Sequence, residues 1–420
     1  MTSKRTASHI PTTAFLAMVS AIPLCFAAYW SIRLAVADRF SRSGSIPDLQ
    51  RATRLAPGNA PYLLRLAELE DGEGQDASAA LKQAATANPL NSAVWLQLGL
   101  QAELKGDMAA AGKILLHAAQ LDRQFRPRWE LAGFYVRRND PRQSRHWARE
   151  ALRIGDPADF PAVFRLCWTL GAQAEDIWRE AIPKTPVVME QYLGFLLAEN
   201  KLDAAAPVAA QLGEVAEAPQ VRSLLAYCDA AIAAKQTSKA LSCWNTLSRR
   251  HLLPYPVIDP STGNSLVNGN FQRTPSSLGF DWRPANIAGI SVNYDEISPH
   301  IRIAFSGKQP ESCEPLTTWV ALEPMRKFRL ACRYETAAIP PGSGLKWQLY
   351  SAANGAQIIP DAPSLSHENQ TTATMDFRTP EGVSHEPQLW RLALAYQRTP
   401  GTVRIEGSVR LADVSLEFAR

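Results

Sequence analysis

Two pentapeptides 34 residues apart, Trp95-Leu96-Gln97-Leu98-Gly99 and Trp129-Glu130-Leu131-Ala132-Gly133, place the same large residue and the same glycine at matching positions. A bulky side chain near a position with no side chain is what one helix needs for another to cross it closely. The offset recurs. Ala84 and Ala118 differ by 34, as do Pro89 and Arg123, while Ala52 and Ala84, and Pro57 and Pro89, differ by 32. The segments ATRLAPGNA (Ala52–Ala60) and AATANPLNSA (Ala84–Ala93) share one punctuation: a helix end, a proline and a short polar turn. A unit of this length is a helical hairpin that buries little alone and gains its core from its neighbours.

The spacing is strong over about Ile46–Gly155 and weaker from Ala158 to Arg250, where Pro161, Pro183, Pro186 and Pro207 are expected to start or stop shorter helices. About six hairpins are expected. In the last, Tyr227-Cys228 lies on one helix and Ala240, Trp244 and Leu247 on the next, with Cys228 in the small-residue place. This pattern resembles the tetratricopeptide repeat (TPR), a 34-residue helix–turn–helix unit. The resemblance implies close helix crossings at Gly99 and Gly133, so that Gly133→Leu should overpack one of them. It also implies a concave surface, lined by the first helices, that binds a protein segment. Carried over by spacing, that surface includes Leu96, Leu100, Glu103, Leu104, Glu130, Phe134, Arg137 and Arg138. From Arg123 to Arg153 there are nine arginines against three acids. Arg142, Arg145 and Arg149 share a helical face by i, i+3, i+7 spacing. That face reads either as a solvated exterior or as a docking patch for an anionic polysaccharide, lipid headgroup or acidic protein loop.

Ile10 to Ile32 is 23 residues without a charge, long enough to span a bilayer. Lys4 and Arg5 precede it, and Tyr29 and Trp30 stand where an interfacial aromatic belt would be. Its apolar core exceeds that of a signal peptide, and Ala27-Ala28-Tyr29 is a poor cleavage site. The stretch favours an uncleaved single-pass anchor over a cleaved signal or a buried helix. Arg33, Arg39 and Arg42 follow it and weaken the charge rule for orientation; an inner-membrane protein with its domains in the periplasm is expected.

After Arg249-Arg250 the idiom changes. His251–Gly263 carries three prolines and a glycine and reads as a linker. The hydrophobic period then falls from 3.6 to 2. Strand-like runs follow at Leu266–Phe271, Gly279–Arg283, Ser291–Tyr294, His300–Ser306, Thr317–Leu322, Lys327–Glu335, Leu345–Ser351, Thr371–Arg378, Gln388–Gln397, Thr402–Val409 and Val414–Phe418. With no helix among them, they predict an antiparallel β-sandwich or jelly roll. The expected fold class is therefore α + β and multidomain: an anchor over 1–40, a helical repeat domain over 41–250, a linker over 251–263 and a sandwich over 264–420.

Asn268-Gly269-Asn270-Phe271-Gln272, the turn Gly279-Phe280-Asp281-Trp282 and the closing Leu411-Ala412-Asp413-Val414-Ser415-Leu416 resemble the opening and closing strands of jelly-roll carbohydrate-binding modules. The resemblance implies a glycan ligand held on aromatic rings, for which Trp282, Trp319, Trp347, Tyr350, Trp390 and Tyr396 are the candidates. Alternation puts Trp390, Leu392, Leu394 and Tyr396 on one face of their strand and leaves open which face is core. The family's structural calcium has a thin counterpart here: Asn270, Gln272 and Ala412 replace acids, so only Asp413 remains.

No motif for nucleophilic, metal-dependent, phosphate-binding or dinucleotide chemistry occurs, and no cofactor is expected. A net charge of +4 gives no argument for nucleic acid. Six cysteines show no CxxC spacing. Cys228 and Cys243 fall at the same height on the last hairpin, and Cys313 and Cys332 flank one strand, so a disulfide at either pair would mark an oxidising compartment. The expected function is a non-enzymatic scaffold, with a protein partner on the repeats and glycan on the sandwich, in surface-polysaccharide assembly or export. The alternatives are a protein–protein assembly factor whose sandwich binds no sugar and, more remotely, a glycan-active enzyme.

Overall fold

The computed structural model describes residues 12–419, except 170, 172, 360–361 and 383–385; side chains are described from residue 21. Lys4, Arg5, Ile10 and Pro11, expected to flank or open the anchor, lie outside the described residues. The chain packs as two units, Met1–Ile182 and Pro183–Arg420.

In the first unit α1 (Thr12–Ser41) is followed by α2 (Ile46–Leu55), α3 (Ala60–Gly72), α4 (Ser78–Ala87), α5 (Ser92–Leu104), α6 (Met108–Leu121), α7 (Phe125–Arg137), α8 (Pro141–Leu152), α9 (Phe160–Trp168) and the single turn α10 (Ala174–Asp176), which runs into a π-helical turn at Ile177–Ala181. The repeated punctuation is made of caps. Asn59, Asn91, Asp107 and Asp140 each accept a hydrogen bond from a backbone N–H in the first turn of the next helix. Leu63, Leu66, Leu81, Ala84 and Val94 form one core cluster and Leu96, Leu115, Leu131 and Phe134 another. α1 is long and apolar enough to cross a membrane by length and composition, and its Ile22, Phe26 and Ile32 are exposed. Its last turns are different: Ala37 and Ser41 are buried.

The two glycines of the repeat part company. A Cβ on Gly99 would lie 2.6 Å from Leu115 Cδ2, so α5 and α6 cross tightly there. A Cβ on Gly133 would meet only Arg137 of its own helix, at 3.1 Å. The residue 34 after Leu115 is Arg149, whose guanidinium turns away to the Arg179 carbonyl at 3.4 Å. The expectation of a tight crossing at Gly133 is therefore corrected. Gly99→Ala is expected to cost about 1–3 kcal/mol, whereas Gly133→Ala should be neutral or stabilising by about 0.5–1 kcal/mol from helix propensity. Paired thermal melts check this, and equal losses would refute the register.

The second unit opens with α11 (Pro186–Ala198), α12 (Leu202–Val215), α13 (Val221–Ala233) and α14 (Thr237–Arg249). Pro207, expected at a helix end, lies inside α12. Nine strands follow among the described residues: β1 (Arg283–Pro284), β2 (Ile290–Asp295), β3 (His300–Ser306), β4 (Ser312–Leu322), β5 (Lys327–Ala337), β6 (Leu345–Ser351), β7 (Thr371–Arg378), β8 (Gln388–Gln397) and β9 (Glu406–Phe418). They form two antiparallel sheets, ordered β1-β4-β8-β6 and β2-β3-β9-β5-β7. The alternating apolar residues of both meet in one core that includes Ile303, Leu330, Trp347, Trp390 and Leu411.

Two expected strands are absent and two are joined. The expected strand Thr402–Val409 starts only at Glu406, and from there it runs with Val414–Phe418 as the single strand β9, opposite an irregularity at Arg333/Tyr334. Leu266–Phe271 and Gly279–Arg283 are loop apart from Arg283, because the polar groups here converge on a carboxylate instead of a ladder. Asp281 is fully buried and accepts from the Tyr255 hydroxyl at 2.9 Å, Asn268 Nδ2 at 3.3 Å, and the backbone N–H groups of Ser276 at 2.7 Å and Trp282 at 2.8 Å. Trp282 Nε1 donates to the Asn268 carbonyl at 3.0 Å.

Residues 251–263 are not a free linker. Tyr255 stacks on Trp244 of α14 with ring centroids 5.8 Å apart, and Phe280 meets the same indole edge-on at 5.7 Å. Asn245 exchanges two 2.8 Å hydrogen bonds with the Ile258 backbone. Asp229 of α13 accepts from Gly279 N at 2.9 Å and pairs with Arg283. Gly279 has φ +56°, and a Cβ there would lie 2.5 Å from Trp244, so both backbone shape and space require glycine. The last hairpin and the sandwich are thus packed into one body.

Candidate functional site

Parity decides which rings a ligand can reach. In β4, β6 and β8 the side chains of Leu316, Val320, Trp347, Leu349, Trp390, Leu392 and Tyr396 point into the core, so their neighbours in sequence point out. Trp282, Trp347, Trp390 and Tyr396 are 1% exposed or less, which leaves no ring face for a sugar and removes four of the six expected glycan-binding residues. Trp319 and Tyr350 are half-buried and share the outer face.

The register brings these two together around an arginine. Arg391 of β8 stands directly opposite Trp319 of β4 on one side and Tyr350 of β6 on the other. Its guanidinium lies 5.1 Å from the Tyr350 ring centroid and forms a two-pronged pair with Glu314. The Tyr350 hydroxyl donates to Gln348, and burial, then the Glu314 charge, pushes its pKa up, so it stays a neutral donor. In the next row Thr317 and Gln348 flank Ala393, but Ala393 is fully buried and Gln348 is buried too, so the reachable part of this face is the row of Trp319, Arg391 and Tyr350. The result is two rings about 10 Å apart, at two strand spacings, with a charge-assisted pair between them. Flat apolar faces beside fixed hydrogen-bonding groups suit a pyranose, which has an apolar face and a rim of hydroxyls.

The first unit carries a second recess, a cleft of about 560 Å³ lined by Asp71, Gln97, Leu100, Gln101, Glu103, Leu104, Glu130 and Arg137. Leu104 is 79% exposed and gives it an apolar edge. Arg137 reaches from α7 to Glu103 of α5 through two hydrogen bonds, at 2.5 and 2.8 Å, and Gln101 donates to Asp71 at 2.6 Å. Leu96 and Phe134, expected on this surface, are buried in the core between hairpins. Arg138 is exposed and lies over the Phe134 ring at 5.6 Å.

The arginine face on α8 is mostly committed within the unit. Arg145 pairs with Glu180 of the π-helical turn at 2.7 Å, and Arg149 donates to the Arg179 carbonyl, leaving Arg142 exposed. These contacts stitch α8 to the next segment and correct the docking-patch expectation for Arg145 and Arg149.

All six cysteines are free thiols. Cys228 Sγ donates to the Ala240 carbonyl at 3.5 Å and Cys243 Sγ to the Leu224 carbonyl at 3.3 Å, so each closes the helix crossing instead of a bridge. Burial pushes the Cys243 and Cys332 thiols up to about 12. Cys313 and Cys332 lie in different sheets. The proposed disulfides are corrected, and the compartment loses that support. Asp413 borders a cleft of about 780 Å³ with Asn268, Asn270 and Glu417. No group of three or more His, Cys, Asp or Glu converges among the described residues, so Asp413 lacks the charged partners that calcium favours.

Arg391 and Gln348 escaped the sequence reading. Arg391 had a signal, since it has opposite parity to Trp390; the pairing that sets it between two rings had none.

No family model matches the chain, and no curated protein matches it. Similar solved structures include one titled "CBM4 structure and function", at 12% identity and TM-score 0.28 over 36% of this chain and 98% of that one. The MamA protein is similar at 16% identity and TM-score 0.32, over 41% of this chain and 94% of that one. YrrB, titled "a TPR protein with an unusual peptide-binding site", is similar at 13% identity and TM-score 0.26, over 50% and 94%. The structures similar to this chain thus include one titled as a TPR protein and one titled as a carbohydrate-binding module.

Proposed function

We propose that the chain is a non-enzymatic adaptor, anchored by α1 as a single-pass inner-membrane protein with both units in the periplasm. Its cleft at Leu100, Leu104, Glu103 and Glu130 holds a segment of a protein partner, and its sandwich presents Trp319, Arg391 and Tyr350 to a glycan, in the assembly or export of a surface polysaccharide. The observation that carries the glycan reading is the paired register of those three residues on one half-buried outer row. A carboxylate beside the arginine favours hydroxyl-rich, weakly charged chains over strongly acidic ones.

A glycan array probed with the full-length chain in detergent tests this. Binding is expected for some neutral oligosaccharides, and Trp319→Ala combined with Tyr350→Ala should weaken it about tenfold, since a ring contact contributes about 0.5–1.5 kcal/mol beyond its area. Binding that survives the double substitution would move the site elsewhere. The burial of four candidate rings favours a second reading, a protein–protein assembly factor that binds no sugar, and a blank array would support it.

A further inference from the structure

The turns at one end of the first hairpins stand beside the aromatic end of α1, and we infer that this edge of the repeat array rests on the headgroups of an anionic phospholipid bilayer. The inference rests on the reading of α1 as a membrane anchor. Trp30 lies near the end of the apolar stretch, at the depth where indole rings settle between acyl chains and headgroups. Whatever borders Trp30 is therefore held at headgroup level. Its neighbours form a groove of about 610 Å³ with Leu34 of α1, the α2–α3 turn from Ala56 to Pro61, and Ala87-Asn88 at the end of α4. No acidic or basic residue lines this groove.

The charges beside it are basic. Arg33 lies over Trp30 at 4.8 Å and over Tyr29 at 5.9 Å, and donates to the Tyr29 hydroxyl at 3.3 Å and the Arg54 carbonyl at 3.4 Å. The α2 terminus is thereby tied to the anchor just above the aromatic pair. Arg54 is exposed alongside. The nearby acids Asp38 and Asp48 are each paired, with Arg42 at 2.5 Å and Arg51 at 3.2 Å. Two residues beyond Asn88, Leu90 is 77% exposed on the α4–α5 turn, an apolar side chain with nothing on it. Basic residues near an anionic leaflet are drawn to its surface, and an apolar tip entering the interface adds burial.

The test uses the full-length chain with Leu90→Cys, in detergent and in nanodiscs of mixed phosphatidylglycerol and phosphatidylcholine. Modification by a membrane-impermeant maleimide is read at the residue by peptide mass spectrometry, so native thiols do not interfere. Leu104→Cys, equally exposed but in the cleft, is the reference. Modification at position 90 is expected to be several-fold slower in the discs than in detergent, with position 104 unchanged. Equal rates at position 90 in both media would overturn the inference, and so would slowing at both positions. The same slowing in discs of phosphatidylcholine alone would overturn the claim that anionic headgroups are recognised. Resistance of the wild-type chain to alkaline carbonate extraction reports on the anchor separately: a chain that stays in the membrane yet leaves position 90 open refutes the docking only.

Discussion

Asp281→Ala is expected to destabilise the Pro183–Arg420 unit by about 3 kcal/mol or more. The carboxylate is fully buried and serves four donors, from Tyr255, Asn268, Ser276 and Trp282. A buried donor left without its acceptor costs about 1–3 kcal/mol, and at least the N–H of Trp282 is sealed in the core. Asp281→Asn, which keeps one acceptor oxygen and the shape, should lose less. Urea unfolding followed by tryptophan fluorescence gives the comparison, because Trp282 is the adjacent residue. An unchanged midpoint for the alanine variant would show that the loop from Asn264 to Arg283 is not organised by this carboxylate.

The second large effect is expected at Trp244. Its indole is 1% exposed and is shared by α14, Tyr255, Phe280 and the backbone at Gly279. Truncation to alanine is expected to cost about 3–5 kcal/mol and to uncouple two elements. In the wild-type chain, hydrogen exchange of α13–α14 and of the sandwich strands should slow and open together. In Trp244→Ala the hairpin should exchange faster than β5 and β9. Independent exchange of the two in the wild type would mean that the packing at Trp244 does not join them.

What could be read in the sequence followed from periodicity. The hairpins from Ile46 to Gly155, and β3, β6, β7 and β8 at their full lengths, have apolar residues at spacings that only one conformation buries well. What could not be read depends on partners distant in sequence. Gly99 and Gly133 look alike until Leu115 and Arg149 are placed against them. Residues 264–282 alternate like a strand, but Asp281 offers their backbone a better set of bonds than a neighbouring strand does. The site showed the same limit. Tryptophan is a fair guess for sugar contact by chemistry alone, yet Trp347 and Trp390 fill the core while Trp319 faces out, and only the sheet register shows that Arg391 stands between Trp319 and Tyr350.

The joint at Trp244 also bears on how such a chain can change over generations. A stack of helical hairpins has no built-in stop, and its final apolar face needs a terminal cover. Here the sandwich supplies it, through Phe280, Gly279 and Tyr255 lying on α14. The α13–α14 pair cannot be separated from it, because Asp229, Trp244 and Asn245 belong as much to the sandwich as to the helices. A graft that moves the sandwich to another protein must therefore carry its last hairpin with it.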